Sequence, residues 1–178
     1  MTLNQAMPRF DVQAKHETLI NAPATDVYRV LKTTNLSRSF IIRSLLWLRS
    51  AGNAPKRLCL QQFWERDFLL IEDRPNQEII LGLVGRLWIP RPDLIRIPPG
   101  DFAGYSNPRY GKVAFNFAIT AQGSQTLLTT QTRILCTSPQ TRRLFRLYWT
   151  LVGPFSGLIR KEMLRLIKAD AERLSLLQ

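Results

Sequence analysis

A single histidine, His16, and two cysteines, Cys59 and Cys136, occur in 178 residues. So few nitrogen and sulfur ligands cannot assemble a His-rich zinc site or a Cys-x-x-Cys pair, and no metal or other cofactor is expected. A Ser-His-Asp triad would have to use His16, which falls in a predicted strand between Lys15 and Glu17 and reads as a surface or edge histidine. In a reducing compartment the two isolated thiols stay free. Long apolar runs are lacking as well: no stretch reaches the roughly 18 residues of a membrane span. Residues 1–9 hold no apolar run of the signal-peptide kind. A cytoplasmic protein is therefore expected, one able to visit a membrane surface without crossing it. Acidic residues are also scarce, 13 against 25 lysines and arginines, for a formal charge of +12. That imbalance concerns partners rather than fold, and it suits nucleic acid, an anionic leaflet or an acidic protein.

Apolar residues make up 45% of the chain, enough for a substantial core. The length suits one domain over residues 1–178, with 1–9 as a flexible N-terminus. Residues 10–20 read as a strand, and Asn21-Ala22-Pro23 breaks it. Pro23 suits a helix start and Asp26 its positive end, followed by the stripe Val27, Val30 and Leu31. A second helix is expected over 36–49, capped by Asn35 and apolar around more than half its girth, with the core as its expected destination. Turn signals lie at 52–55. One or two strands are expected within 58–71, and a glycine-bearing strand over 77–88. Residues 89–107 are rich in proline and glycine and read as a long loop of the lid kind. Residues 112–120 alternate, with Val113, Phe115, Phe117 and Ile119 to one side; 122–124 turn, and 127–136 form the last strand. Ser138-Pro139 then starts a long helix that Pro154 kinks or divides. Its apolar positions are Leu144, Leu147, Tyr148, Leu151 and Val152, then Phe155, Ile159, Met163, Leu166, Ile167 and Leu174.

A strand, two helices, a run of antiparallel strands and a long helix are most economically packed as an α+β helix-grip fold. In that arrangement a curved antiparallel sheet wraps around the C-terminal helix. The opening His16-Glu17-Thr18-Leu19-Ile20-Asn21-Ala22-Pro23-Ala24-Thr25-Asp26-Val27-Tyr28 resembles that of the START-like superfamily, also called SRPBCC, Bet v 1-like or polyketide cyclase-like. Ile79-Ile80-Leu81-Gly82-Leu83-Val84-Gly85-Arg86-Leu87-Trp88, Thr132-Arg133 and Phe155-Ser156-Gly157-Leu158-Ile159-Arg160 are similar to a bacterial branch of it. The resemblance implies a cavity between sheet and C-terminal helix that holds a lipid, quinone, polyketide or other hydrophobic small molecule. It implies no catalysis, since such folds serve carriers, cyclases and regulators alike.

The expected ligand contacts are Phe115, Phe117, Tyr148, Phe155 and Ile159, with Arg86, Trp88 and Arg133 at the polar end. No catalytic residue can be named. Glu65, Asp67, Glu72 and Asp73 cluster, but Arg66 and Arg74 between them suggest ordinary ion pairs. Arg142, Arg146, Lys161, Arg165 and Lys168 form a basic helix face near Trp149. Without interleaved exposed aromatics or a known motif, nucleic acid is not expected, and an anionic membrane is the better match. The expected function is a non-catalytic carrier gated by residues 89–107. A cyclase or dehydratase on the same fold and a basic interaction module are the alternatives.

Overall fold

A computed structural model describes residues 1–49, 59, 61–62, 68–89 and 92–177. The expected turn at 52–55, residues 58, 60 and 63–67 of the stretch where one or two strands are expected, and with them the acidic Glu65 and Asp67, lie outside the described residues. The elements in chain order are α1 (Leu3–Ala6), β1 (Val12–Ile20), α2 (Ala24–Thr33), a 3-10 turn (Leu36–Arg38) and α3 (Phe40–Arg49). They continue with β2 (Leu69–Arg74), β3 (Glu78–Arg86), β4 (Asp93–Ile95), a 3-10 turn (Pro99–Asp101), β5 (Gly111–Gln122), β6 (Gln125–Cys136) and α4 (Pro139–Ser175). The sheet runs β1-β6-β5-β3-β2 with β4 beside β3, and every pairing is antiparallel. Sheet and long C-terminal helix together make the expected α+β helix-grip fold.

Side chains alternate across a strand, so the ladder registers sort the residues into two faces. On the inner face His16, Thr130, Phe117 and Ile79 share one row, and Ala14, Thr132, Phe115 and Leu81 the next. These rows meet α2, α3 and α4 in a core that includes Val27, Leu31, Ile42, Phe115, Phe117, Met163 and Ile167. The outer face carries Ile80, Val84 and Ala114, and it is also covered. Leu3 and Met7 of the first nine residues, expected as a flexible arm, are buried there beside Phe102. β3 is therefore buried on both sides, which explains its unbroken apolar run. Gly82 lets Phe102 close: a Cβ at that position would stand 2.8 Å from the Phe102 ring and 2.7 Å from Ile71 Cδ1. Glycines inside a strand often mark a bulge or a bend. The one register shift between β2 and β3 falls instead between Leu70 and Glu72.

Residues 92–107, the greater part of the expected loop, are neither structureless nor a lid on the helix side. Of the described part, Asp93–Ile95 joins the sheet as β4, and Ile97, Phe102 and Tyr105 pack on the outer face. Lys112, buried beneath them, donates to the carbonyls of Phe102 (3.0 Å) and Ala103 (2.8 Å). The segment closes the face opposite the expected cavity.

α4 begins as anticipated: Ser138 caps it in a reciprocal pair with Thr141, and Pro139 takes the first turn. Pro154 lies inside the helix without ending it. The rotation of its first half departs from the expected stripe. Phe145, Tyr148 and Trp149 pack toward the sheet, whereas Leu144, Leu147 and Leu151 are 47, 70 and 68% exposed. Both sides of this half are apolar, and the side with the larger aromatic surfaces took the interior. α3 departs in the same way: Ile42 is buried, but Phe40 and Trp47 are 80 and 59% exposed, so the helix leaves an apolar face outside the core.

Candidate functional site

The packing of α4 on the inner face is uneven along its length. Thr141 and Phe145 are buried near its start, and Glu162, Met163, Leu164, Leu166, Ile167 and Ala171 further on. Between 146 and 161 no residue is fully buried, although Tyr148, Val152, Gly153, Ser156, Gly157, Ile159 and Arg160 are half-buried. Glycine and serine at 153, 156 and 157 supply little volume at these positions. Two apolar clusters flank the stretch. One centres on Phe145, Val113 and Ile134, the other on Met163, Phe117 and Ile167.

The side chains gathered between these clusters are polar and poorly partnered. The Arg160 guanidinium lies 4.3 Å from the centroid of the Phe115 ring, and Phe115 itself is 2% exposed. No carboxylate pairs with Arg160 among the described residues. Burial pushes its pKa down to about 10, so the group keeps its charge at neutral pH. Arg160 nonetheless retains accessible surface.

His16 on β1 faces the same region and not the surface: an ideal Cβ at Gly157 would lie 3.8 Å from its Cε1 and Nε2. Its Nε2 is buried without a hydrogen-bond partner. Burial, then the nearby charges of Lys161 and Arg160, lower its pKa, which leaves the imidazole neutral at pH 7. Directly across the β1–β6 ladder stands Thr130, whose Oγ1 is also buried and unpartnered. Native interiors rarely leave such groups unsatisfied, so each asks for an explanation.

The residues expected at the ligand are dispersed. Phe115 and Phe117 lie on the inner face, and Ile159 packs against the same core. Tyr148 and Trp88 belong to the cluster around Phe145. Phe155 is 49% exposed and lies on the outward side of α4. Arg86 ends β3 at the surface, with Nε and Nη2 on Asp93 at 3.1 and 2.8 Å. Arg133 is paired in register with Gln13 and Ala114, which puts it on the outer face. There it donates to Gln13 Oε1 and to the Met7 carbonyl and stacks on Phe10 at 4.8 Å. Arg160 and His16 went unnamed as site residues. For His16 the signal was available, since it alternates in phase with Val12, Ala14, Thr18 and the buried Ile20. For Arg160 it was the small residues at 153, 156 and 157, on the face it shares.

Other ionisable groups hold the structure together. Asp73 accepts from Tyr28 (2.7 Å) and Lys32 (2.9 Å), tying α2 to β2, while Glu72 meets the N-terminal amine. On the basic helix face Arg142, Arg165 and Lys168 pair with Asp11, Glu162 and Glu172. Trp149 stacks on Phe145 at 5.5 Å and is half-buried. Burial pushes the Cys136 thiol up to about 12. Among the described residues no helix is long and apolar enough to cross a membrane.

Fold and geometry define a helix-grip α+β chain with half-buried polar groups gathered between sheet and helix. No protein-family model and no curated protein matches it. Solved structures similar to it include norcoclaurine synthase from Thalictrum flavum in complex with dopamine and hydroxybenzaldehyde, at 12% identity, 94% coverage of this chain, 92% of that one and a TM-score of 0.40. CalU16 from Micromonospora echinospora is 13% identical, with coverages of 90 and 84% and a TM-score of 0.31. Protein CV1439 from Chromobacterium violaceum is 11% identical, with coverages of 90 and 97% and a TM-score of 0.40. At these values no ligand or activity passes from them to this chain.

Proposed function

We propose that this protein binds a small, mainly hydrophobic molecule between the inner face of the sheet and residues 146–161 of α4, and carries it without transforming it. The observation that carries the reading is the loose middle of α4 between two tightly packed ends. Phe115, Phe117, Tyr148 and Ile159 supply apolar walls, and Arg160, His16 and Thr130 supply the few polar groups that orient a guest. A mostly apolar lining with sparse polar groups is the usual composition of small-molecule sites. Organic extraction of the purified protein followed by mass spectrometry is expected to recover one dominant apolar compound in near-stoichiometric amount. An extract with no enriched compound, from protein that also fails to take up an apolar dye, would sink the reading. A cyclase or dehydratase would need a buried ionisable group beside its substrate, and His16 is such a group. Turnover of the recovered compound by purified protein would replace the carrier with that enzyme.

A second reading, peripheral contact with an anionic bilayer, is favoured by the outward side of α4. Leu144, Leu147, Leu151, Phe155 and Leu158 are all exposed there, and exposed Arg143, Arg146 and Lys161 lie on the same helix. An apolar stripe bordered by cations fits a leaflet of anionic headgroups, and the formal charge of +12 adds long-range attraction. Binding to vesicles containing phosphatidylserine is expected to exceed binding to neutral phosphatidylcholine vesicles and to fall with added salt. The double variant Leu147→Glu, Leu151→Glu should weaken it about tenfold or more. Equal binding to both vesicle types, or none to either, would exclude the bilayer.

A further inference from the structure

Among the described residues the cation in the middle of the site has no counterion. Arg160 is desolvated and stacked on Phe115, and among the described residues no carboxylate reaches it. An arginine held away from water without an anion is unfavourable, and a contact with one aromatic face offsets only part of that. Leucine or methionine would fill the same position on α4 without the penalty. The arrangement is intelligible if the partner arrives with the ligand.

We propose that Arg160 is the receptor for a single negative charge on the bound molecule, and that the ligand is an apolar monocarboxylic acid. This rests on the reading of the site given above. The guanidinium offers a planar fork that matches a carboxylate with two parallel hydrogen bonds. Its surroundings set the charge at one. Lys161 is exposed and its charge is felt at His16, which is itself neutral, so among the described residues Arg160 is the one half-buried cation against the Phe115 ring. A phosphate monoester would bring close to two charges against that one cation. Thr130 Oγ1, paired with His16 in the same row, has a hydroxyl proton free to donate, and His16 Nε2 donates too in the neutral tautomer that carries its proton there. Together they can satisfy carboxylate lone pairs that the fork leaves over. The hydrocarbon part then lies on Phe115, Phe117, Ile159 and Tyr148, in the stretch where α4 is thinly packed.

The test compares two probes of equal chain length that differ in the head, dodecanoic acid and dodecanol, each displacing Nile red from the full chain. Dodecanoate is expected to displace the dye at about tenfold to a hundredfold lower concentration than dodecanol, the range of a charge-assisted contact. Arg160→Met should bring dodecanoate to the level of dodecanol. Without ligand this variant should melt at or above the temperature of the parent, because an uncompensated buried charge has gone. A merely structural arginine would give a lower melting temperature instead. Arg160→Gln, similar in reach and uncharged, is to lose the preference as well. If that variant retains it, Arg160 is not the receptor. If both probes displace the dye equally from the parent protein, the site stands and the anionic head falls. If neither displaces it, the reading of the site falls first and the receptor with it.

Discussion

Acidification from about pH 5 to about pH 2 is expected to remove on the order of 2 kcal/mol of stability through Glu162 alone. Its carboxylate is almost fully buried and receives a two-pronged contact from Arg165 Nε and Nη2, each at 2.8 Å. It also accepts from Ser39 Oγ at 2.7 Å. The Arg165 hydrogen bond is the main cause that holds its pKa down to about 2, against an ordinary value of 4.5. Burial pulls the other way, and Ser39 and the Arg165 charge add to the depression. A depressed folded pKa contributes stability that is complete above the unfolded value and is lost as pH falls through the folded one. Arg165 is 64% exposed, so solvent screening reduces the figure below what the shift alone would suggest. The contact matters to the fold because Ser39 precedes α3, and the Ser39–Glu162 bond moors the start of that helix to α4. Glu162→Gln keeps an acceptor for Ser39 and removes the titration. Urea denaturation at a series of pH values should then show a flatter acid limb for the variant. Parallel limbs for the two proteins would mean that Glu162 carries no such share.

Gly157→Phe is expected to abolish retention of the apolar ligand, at least tenfold by dye displacement, with little change in melting temperature. The argument turns on what surrounds Gly157. Among the described residues a Cβ there would meet His16 alone, at an ordinary 3.8 Å. Beyond it a phenyl ring would enter the region between β1 and the middle of α4, the place assigned to the guest. Gly157→Ala serves as the control. It adds the same Cβ without reaching further and should raise stability by up to about 1 kcal/mol through helix propensity. If the interior beside Gly157 were already filled, the phenyl ring would overpack it and cost roughly 1–3 kcal/mol. A clear fall in melting temperature of Gly157→Phe would therefore argue that no room for a ligand exists.

Much of the fold was legible because its signals are local. Alternation over 112–120 and the strand signals before Ile20 matched β5 and β1 closely, since a period of two survives any packing arrangement. Ser138 acts as the cap expected of it, because a cap depends only on residues two or three positions away, whereas Asn35 caps the 3-10 turn Leu36–Arg38 and not α3, which starts only at Phe40. Gly123 takes a positive φ of 64° in the turn between β5 and β6, a conformation open to glycine at little steric cost. The loop at 89–107 was misjudged because its fate depends on Gly82, whose missing side chain admits Phe102 to the outer face from a distant part of the chain.

The candidate site was legible only in its apolar half. Phe115 and Phe117 followed from strand alternation, but Arg86 and Arg133 drew attention as cations among apolar neighbours. Their destinations were decided elsewhere: Asp93 captured Arg86, and the N-terminal residues covered Arg133 on the outer face. His16 and Arg160 converge from positions 144 residues apart, a meeting no local pattern encodes.

By itself the sequence determined the courses of β1, β5, β6 and α4, the α+β class and the strongly basic charge, since these depend on near neighbours and composition. The tertiary structure alone decided which side of α3 and α4 faces inward, which sheet face each arginine occupies and which polar groups are left unpartnered. Those outcomes follow from helix rotation and strand register, which are set by the competition of large side chains for a shared interior.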